Sequence, residues 1–420
     1  MSSTCTSTCS SGQVQAQKLS SDQAVRITLE LFKAHFSATG ASDATLQKIL
    51  VSAPGRSEIS GNHTDHEGGH VIAGALNVAI TGVCAPNGTQ TIRLVSQGFD
   101  PVEVDLASLE PREDEKLTTQ AIVRGMAYKL ASNGFTPQGF DIALTSTVPG
   151  GSGLSSSAAC EAALGRAMEA LWKGEPISAI DLALYSQFAE NTYFGKPCGL
   201  MDQLSVCLGG LAFMNFEDPA HPQYERLSFN FEDKGYALVL VNVGSDHVQF
   251  THEYAAVPQE MQAVAQAFDK TRLCEVLQAD FNGRVVELRE KLGDRALLRA
   301  IHYWYENNLV DERWRALNEN NIDTFLDLTR KSGTSSGMFL QNVSTSGSYQ
   351  PAMLALGLAE QLLQGAGAIR IHGGGFGGSI QCFVPLDMVD EFIASMNSWF
   401  GDGAAMRYAI ADKGASAQCL

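Results

Sequence analysis

The spacing of apolar positions divides the chain into a strand-rich half and a half that opens helical. In Ser21 to Phe36 a capping serine precedes Val25, Leu29, Phe32 and Phe36 at helical spacing, which predicts an amphipathic helix. A short element from Leu46 to Ser52 leads into residues 53–69, which read as a loop too polar and too rich in glycine for the core. The runs Ile80 to Cys84 and Thr91 to Ser96 read as strands on either side of the turn signal Pro86-Asn87-Gly88. A helix is expected from about Leu117 to Ser132, stopped by Asn133-Gly134. The alternating run from Phe140 to Thr147 predicts a strand, the Ala-, Glu-, Leu- and Met-rich stretch to Trp172 a helix, and Ser178 to about Tyr193 another. Two strands, Leu211 to Phe216 and Tyr236 to Val243, flank a turn-rich patch between Asp218 and Gln223.

That patch is where a domain boundary is expected, dividing the chain into 21–220 and 221–420. The second half starts with helical segments near Glu253 to Phe268, Cys274 to Leu292, Ala296 to Asn307 and Asp311 to Ser332. It closes with a strand, a glycine run at 373–378, a strand from Ser379 to Pro385, a helix from Met388 to Trp399 and a strand near Met406 to Ile410. Residues 1–20 carry no such pattern and are expected to lack fixed structure.

Composition narrows the function classes. With 420 residues, 45% hydrophobic and 18% charged, the chain can build two domains of about 200 residues each. A net charge of -17 argues against a broad electrostatic grip on nucleic acid or anionic lipid, so a small anionic ligand must be held by local donors and metal. Nine scattered cysteines without a C-x-x-C pair, no signal-like start and no apolar run of membrane-spanning length predict a cytoplasmic protein. The sequence sets no oligomeric state, and a monomer is compatible with everything in it.

Four segments call for a joint explanation: residues 53–69, the serine-glycine loop at 150–158, the carboxylate at 202 and the glycine run at 373–378. In Val148-Pro-Gly-Gly-Ser-Gly-Leu-Ser-Ser-Ser-Ala158, glycines Gly150, Gly151 and Gly153 and hydroxyls Ser155, Ser156 and Ser157 lie between a strand and a helix, where unpaired N–H groups attract phosphate. The string is neither a Walker loop nor the dinucleotide G-x-G-x-x-G, and an ordinary serine N-cap is the plainer reading. Asp202 sits in an apolar, glycine-flanked stretch and reads as a proton acceptor for a sugar hydroxyl, or as a turn aspartate. Arg56 follows Pro54-Gly55 and reads as a charge partner of Asp202, or as a surface arginine. Asn62, His63 and Asp65 suit several hydroxyls of one polyol. Phosphoryl transfer from ATP explains all four segments. Mg²⁺ then needs few protein oxygens, and Ser157 and Glu190 are the candidates. A rival reading takes His63-x-Asp65-His66 as part of a hydrolase metal motif, with His70 as a further zinc ligand, but such a motif wants another histidine at the position of Gly61.

Taken together these strings resemble the galactokinase family of the GHMP kinases. The matching segments, in the family's order, are Ala53-Pro-Gly-Arg56, Gly61-Asn-His-Thr-Asp65, Val148 to Ala158, Gly195-Lys-Pro-Cys-Gly-Leu-Met-Asp-Gln203 and Gly373 to Gly378. The resemblance implies an α+β, two-domain fold: an N-terminal domain like the second domain of ribosomal protein S5, a ferredoxin-like C-terminal domain, and the active site between them. It implies Asp202 as catalytic aspartate, Arg56 as transition-state arginine, and Gly150, Gly151, Ser152, Gly153, Leu154, Ser155, Ser156 and Ser157 as the ATP phosphate site, with Ser96 near the nucleotide. It implies Ser157 and Glu190 at Mg²⁺, Asn62, His63, Asp65, Gly199 and Tyr254 at the sugar, and the glycine run at 373 as closing the cleft. The activity implied is transfer of the ATP γ-phosphate to the C1 hydroxyl of α-D-galactose.

One departure bears on the substrate. The family usually has Asn-(apolar)-(apolar)-Gly-Glu-His where this chain has Glu58-Ile-Ser-Gly-Asn-His63, so Asn62 replaces a glutamate expected at the C6 side of the sugar. An amide there would admit a C6 carboxylate, which makes galacturonate the alternative substrate. A sugar sensor without turnover is the third reading, set against by the presence of Arg56, Ser157, Ala158, Glu190 and Asp202.

Overall fold

The strand-like runs of the first half pair into one eight-stranded sheet in a computed structural model that describes residues 20–36, 47–150, 153–218, 221–244, 251–343 and 347–420. Its strands are β1 (Ile49–Ser60), β2 (His70–Pro86), β3 (Thr91–Ser96), β4 (Val102–Asp105), β5 (Phe140–Ser146), β6 (Leu211–Asn215) and β7 (Gln223–Leu227), joined by a strand from the other end of the chain, Ser416–Cys419. That last strand pairs with β1, and the order continues β1-β2-β5-β3-β4. The 17-residue β2 organises the sheet: Ile80 to Pro86 pair with β5, while His70 to Gly74 pair with β6. The division expected at 220/221 passes between β6 and β7, which pair antiparallel with each other.

Helices cover both faces of this sheet, four on one and the first on the other, because their apolar stripes need burial. They are α1 (Ser21–Phe36), α2 (Thr119–Ser132), α3 (Ser156–Leu171), α4 (Ala179–Phe188) and α5 (Met201–Leu208). The fully buried Phe140, Ile142, Ala162, Leu164 and Leu204 belong to the resulting core. α1 belongs to a smaller cluster with Phe32, Val83 and Ala143. Its buried face is Ala24, Thr28 and Phe32, rotated slightly from the expected one, and Thr28 Oγ1 meets Thr145 Oγ1 at 2.6 Å.

The second half supplies a four-stranded sheet. Its strands are β8 (Tyr236–Asn242), β9 (Ala368–His372), β10 (Ser379–Pro385) and β11 (Ala405–Tyr408), ordered β11-β8-β10-β9 and wholly antiparallel. Helices Pro351–Leu363 and Val389–Phe400 share a core with Val239, Val241, Ile371 and Ile380. The two helices expected from Ala296 to Asn307 and Asp311 to Ser332 are differently divided: one helix runs unbroken through Asn307 and Asn308 from Asp294 to Asn318, and another spans Ile322–Ser335.

The main correction concerns residues 53–69. Far from being a surface loop, most of this stretch is inside the protein: β1 continues to Ser60, and Ser57, Ser60, Asn62, Thr64 and Glu67 are buried. Buried polar groups require partners, and the second half provides them. Arg370 donates to Glu58 Oε1 (2.6 Å) and to the Ile59 carbonyl (2.8 Å), while Arg313 donates to Ser60 Oγ (2.8 Å) and to the same carbonyl (2.6 Å). No helix of the described residues is long and apolar enough to cross a membrane. The cysteines among the described residues are all free thiols.

Candidate active site

Period-2 geometry on β1 turns the side chains of Arg56 and Glu58 to the same side. α5 begins at Met201 and presents Asp202 from its first turn to the same place. Arg56 grips one carboxylate oxygen of Asp202 with Nε at 2.8 Å and Nη2 at 2.7 Å. The Ser155 hydroxyl donates to the other oxygen, and Arg56 Nη1 also donates to the Gly153 carbonyl. A carboxylate held from both oxygens has one orientation, and a third of its side chain stays open to solvent.

The glycine-serine turn approaches from the opposite wall. Gly153 (φ 70°) and Ser155 (φ 57°) adopt left-handed backbone, which costs a non-glycine residue on the order of 1 kcal/mol and here aims the Ser155 hydroxyl at Asp202. Ser156 and Ser157 open the 16-residue α3, whose free N–H groups face the turn. Gly150 is exposed, while Gly151 and Ser152 lie outside the described residues. Leu154 is buried in the core, so it can offer a ligand only its backbone, and its carbonyl already accepts from Arg56 N–H at 3.1 Å. Ser96 ends β3 beside Leu144 and does not line the cavity described next.

Arg56, Glu58, His63, Asp65, Ser157, Glu190, Gly199, Asp202, Tyr254 and Gly374 surround one cavity of about 270 Å³. A second, of about 390 Å³, adjoins it and shares Arg56, Lys196, Tyr254, Gly373 and Gly374. A larger hollow of about 530 Å³ lies elsewhere, between α1 and the strands β1 and β2, and joins Asp22 and Lys413 to largely apolar and amide groups.

His63 Nε2 lies 2.9 Å from the Gly374 carbonyl and must carry the ring proton, which leaves Nδ1 an acceptor without a partner. Burial, with His66 nearby, pushes the His63 pKa down to about 3, so the ring is neutral. Tyr254 packs against His63 (ring centres 5.3 Å apart), and a Cβ on Gly374 would come within 2.1 Å of Tyr254 Cε2, so only glycine fits there. Gly199 faces the Asp65 carboxylate, 3.2 Å from where its Cβ would be.

Asn62 is not in this wall. It is fully buried, its Nδ2 donating to the Gly373 carbonyl and its Oδ1 accepting from Asn342 Nδ2 at 2.6 Å. Glu58, four residues earlier, does line the cavity and sequence reasoning passed over it; its even spacing from Arg56 was the available signal. Lys196 and Cys198 were likewise not singled out and line the same cavity, as does His66 from the zinc reading.

The residues present fit a divalent cation. Glu190 and Glu161 are both buried and share the Gln203 amide, Nε2 lying 2.8 Å from Glu190 Oε2 and 3.4 Å from Glu161 Oε2. Among the described residues no lysine or arginine forms an ion pair with either. Burial and the neighbouring Glu190 push Glu161 well above the usual carboxylate range. Glu190 and the Ser157 hydroxyl line the same cavity, a hard-oxygen set suited to Mg²⁺. His70, by contrast, pairs with Asp311 at 2.6 Å and packs on Phe213, away from His63.

Similarity to known proteins agrees with this geometry. A family profile described as "GHMP kinases N terminal domain" matches residues 121–210, and one described as "Galactokinase galactose-binding signature" matches residues 30–86. A galactokinase of Clostridium acetobutylicum is 30% identical over 353 residues, covering 82% of this chain and 87% of that protein. A galactokinase of Glaesserella parasuis is 33% identical over 344 residues (81% and 86%), and that of Bacillus subtilis 28% over 381 residues (88% and 93%). Among solved structures, Lactococcus lactis galactokinase complexed with galactose superposes with a TM-score of 0.77 at 24% identity, covering 93% of this chain and 99% of that one. A mevalonate kinase superposes at 0.62 with 15% identity over 87% of this chain and 99% of its own, so the architecture is that of the GHMP kinases. On these grounds the chain belongs to the galactokinase family.

Proposed function

We propose that this cleft transfers the γ-phosphoryl group of ATP to the C1 hydroxyl of α-D-galactose, giving galactose 1-phosphate and ADP. The observation that carries the reading is the Arg56–Asp202 ion pair, set between Ser157 and Glu190 on one side and His63, Asp65 and Gly199 on the other. Asp202 orients the C1 hydroxyl and takes its proton as the oxygen–phosphorus bond forms and the bond from the γ-phosphorus to the bridging oxygen of ADP breaks. Arg56 releases part of its hold on Asp202 to the phosphoryl oxygens, where charge accumulates in the transition state. The N-terminus of α3 and the serines of the turn cradle the phosphates. Ser157 and Glu190 would hold Mg²⁺, which would supply charge neutralisation at the phosphates. His63, Asp65, Gly199 and Tyr254 hold the sugar.

Incubation of the protein with MgATP and galactose, coupled to detection of ADP, tests the reading. ADP must form only when the sugar is present. Binding of both ligands without ADP would instead identify a sensor.

A further inference from the structure

We infer that Glu58 is a specificity-determining residue of the hexose site, offering one carboxylate oxygen to a hydroxyl remote from C1 and excluding sugars that carry a carboxylate there. The inference rests on the proposed kinase reading and adds to it what selects the sugar.

The placement follows from β1. Arg56 and Glu58 pair with Ala75 and Ala73 in regular register, so both side chains leave the same face of the strand and enter one cavity. Two residues along a strand separate them by about 6.6 Å, a span comparable to that of a pyranose with its substituents. With C1 beside Arg56 and Asp202, Glu58 meets the C4–C6 side of the ring.

The carboxylate is fixed and only half used. Glu58 is 4% exposed and Arg370 wholly buried. Glu58 Oε1 accepts from Arg370 Nη2 at 2.6 Å and is 3.4 Å from Asn62 Nδ2, while no described residue donates to Oε2. An ionised carboxylate only accepts hydrogen bonds, so a sugar hydroxyl satisfies it and a second carboxylate repels it. Three of the basic groups around the cavity cannot offset such a pair: Arg370 is engaged by Glu58, His63 is neutral, and Arg56 is engaged by Asp202. Lys196 lines both cavities, and His66 lines the one that holds Glu58. Asn62 plays no direct part, since its amide is committed to Gly373 and Asn342.

The test compares kcat/KM for galactose and galacturonate in the wild type and in Glu58→Gln. The wild type is expected to favour galactose by about 100-fold or more, and Glu58→Gln to narrow that ratio by about 10-fold or more, mainly through KM for both sugars. Should the variant fail to fold with Arg370 unpaired, Glu58→Gln/Arg370→Gln removes both buried charges and carries the same ratio test. An unchanged ratio in the variants, or a wild type that prefers galacturonate, overturns the role of Glu58 while leaving the kinase reading in place. Absence of ADP formation with any hexose is the separate result that defeats the kinase reading itself.

Discussion

The two ends of the cleft are built differently. At the phosphoryl end, Arg56, Asp202, Ser155 and the start of α3 all come from the first half of the chain, and Asp202 keeps a third of its side chain open to water. At the hexose end, Glu58 and Asn62 are sealed beneath contacts from the second half, with Arg370, Arg313, His302 and Asn342 reaching across. The open end holds groups that must change partners during reaction. The sealed end holds groups whose value lies in not moving, so one end is read by turnover and the other largely by stability.

Substitutions should separate the two. Asp202→Ala removes the group proposed as proton acceptor from a partly open position, and kcat is expected to fall by about 10³- to 10⁴-fold with the thermal midpoint nearly unchanged. Matched losses of stability and activity would mean that the pair is structural. Arg370→Ala leaves Glu58 buried without its partner, and urea denaturation should show a loss of about 3–5 kcal/mol. Ser155→Ala deletes one hydrogen bond to a charged oxygen and is expected to cost about 10-fold in kcat, since Arg56 still holds the other oxygen.

The smallest effect is a pH dependence. Burial pushes His63 and His372 down to about 3, against an ordinary value of 6.5. Between those values the unfolded chain binds protons at these rings and the folded chain does not. Their contribution is therefore fully present above about pH 6.5 and lost as the pH falls toward 3, by up to about 1.4 kcal/mol per pH unit for each ring. Glu67, raised to about 7 by burial, acts in the opposite sense, so the informative comparison is between wild type and variant. His372→Asn should show a smaller loss of stability than wild type between pH 7 and pH 5.5, measured by urea midpoints. Equal losses would contradict the burial of that ring.

The same contrast explains what could be read from the sequence. The phosphoryl end is made of local strings, Pro54 to Arg56 and Gly150 to Ser157, whose glycines and hydroxyls announce themselves. Ser21–Phe36 and Thr91–Ser96 were equally legible, because an apolar period or a β-branched run fixes an element locally. The hexose end was legible only in part: His63, Asp65, Gly199 and Tyr254, named from the sequence, line the cavity, but the burial of the stretch around them was not read. Residues 53–69 looked too polar for the core because the groups that satisfy them lie far along the chain; Arg370 reaches the Ile59 carbonyl across 311 positions. Asn62 stands where a carboxylate is expected but is buried behind the wall, while Glu58, from the same stretch, lines it. Strand Ser416–Cys419 went unforeseen since its four exposed residues carry no apolar pattern of their own.

The most direct test of the account is phosphorus NMR of the product formed from MgATP and galactose by the wild type and by Asp202→Ala at equal folded concentration. The account predicts a single phosphomonoester coupled to the anomeric proton from the wild type and none above background from the variant. Phosphate on another carbon, inorganic phosphate alone, or undiminished product from the variant would contradict it.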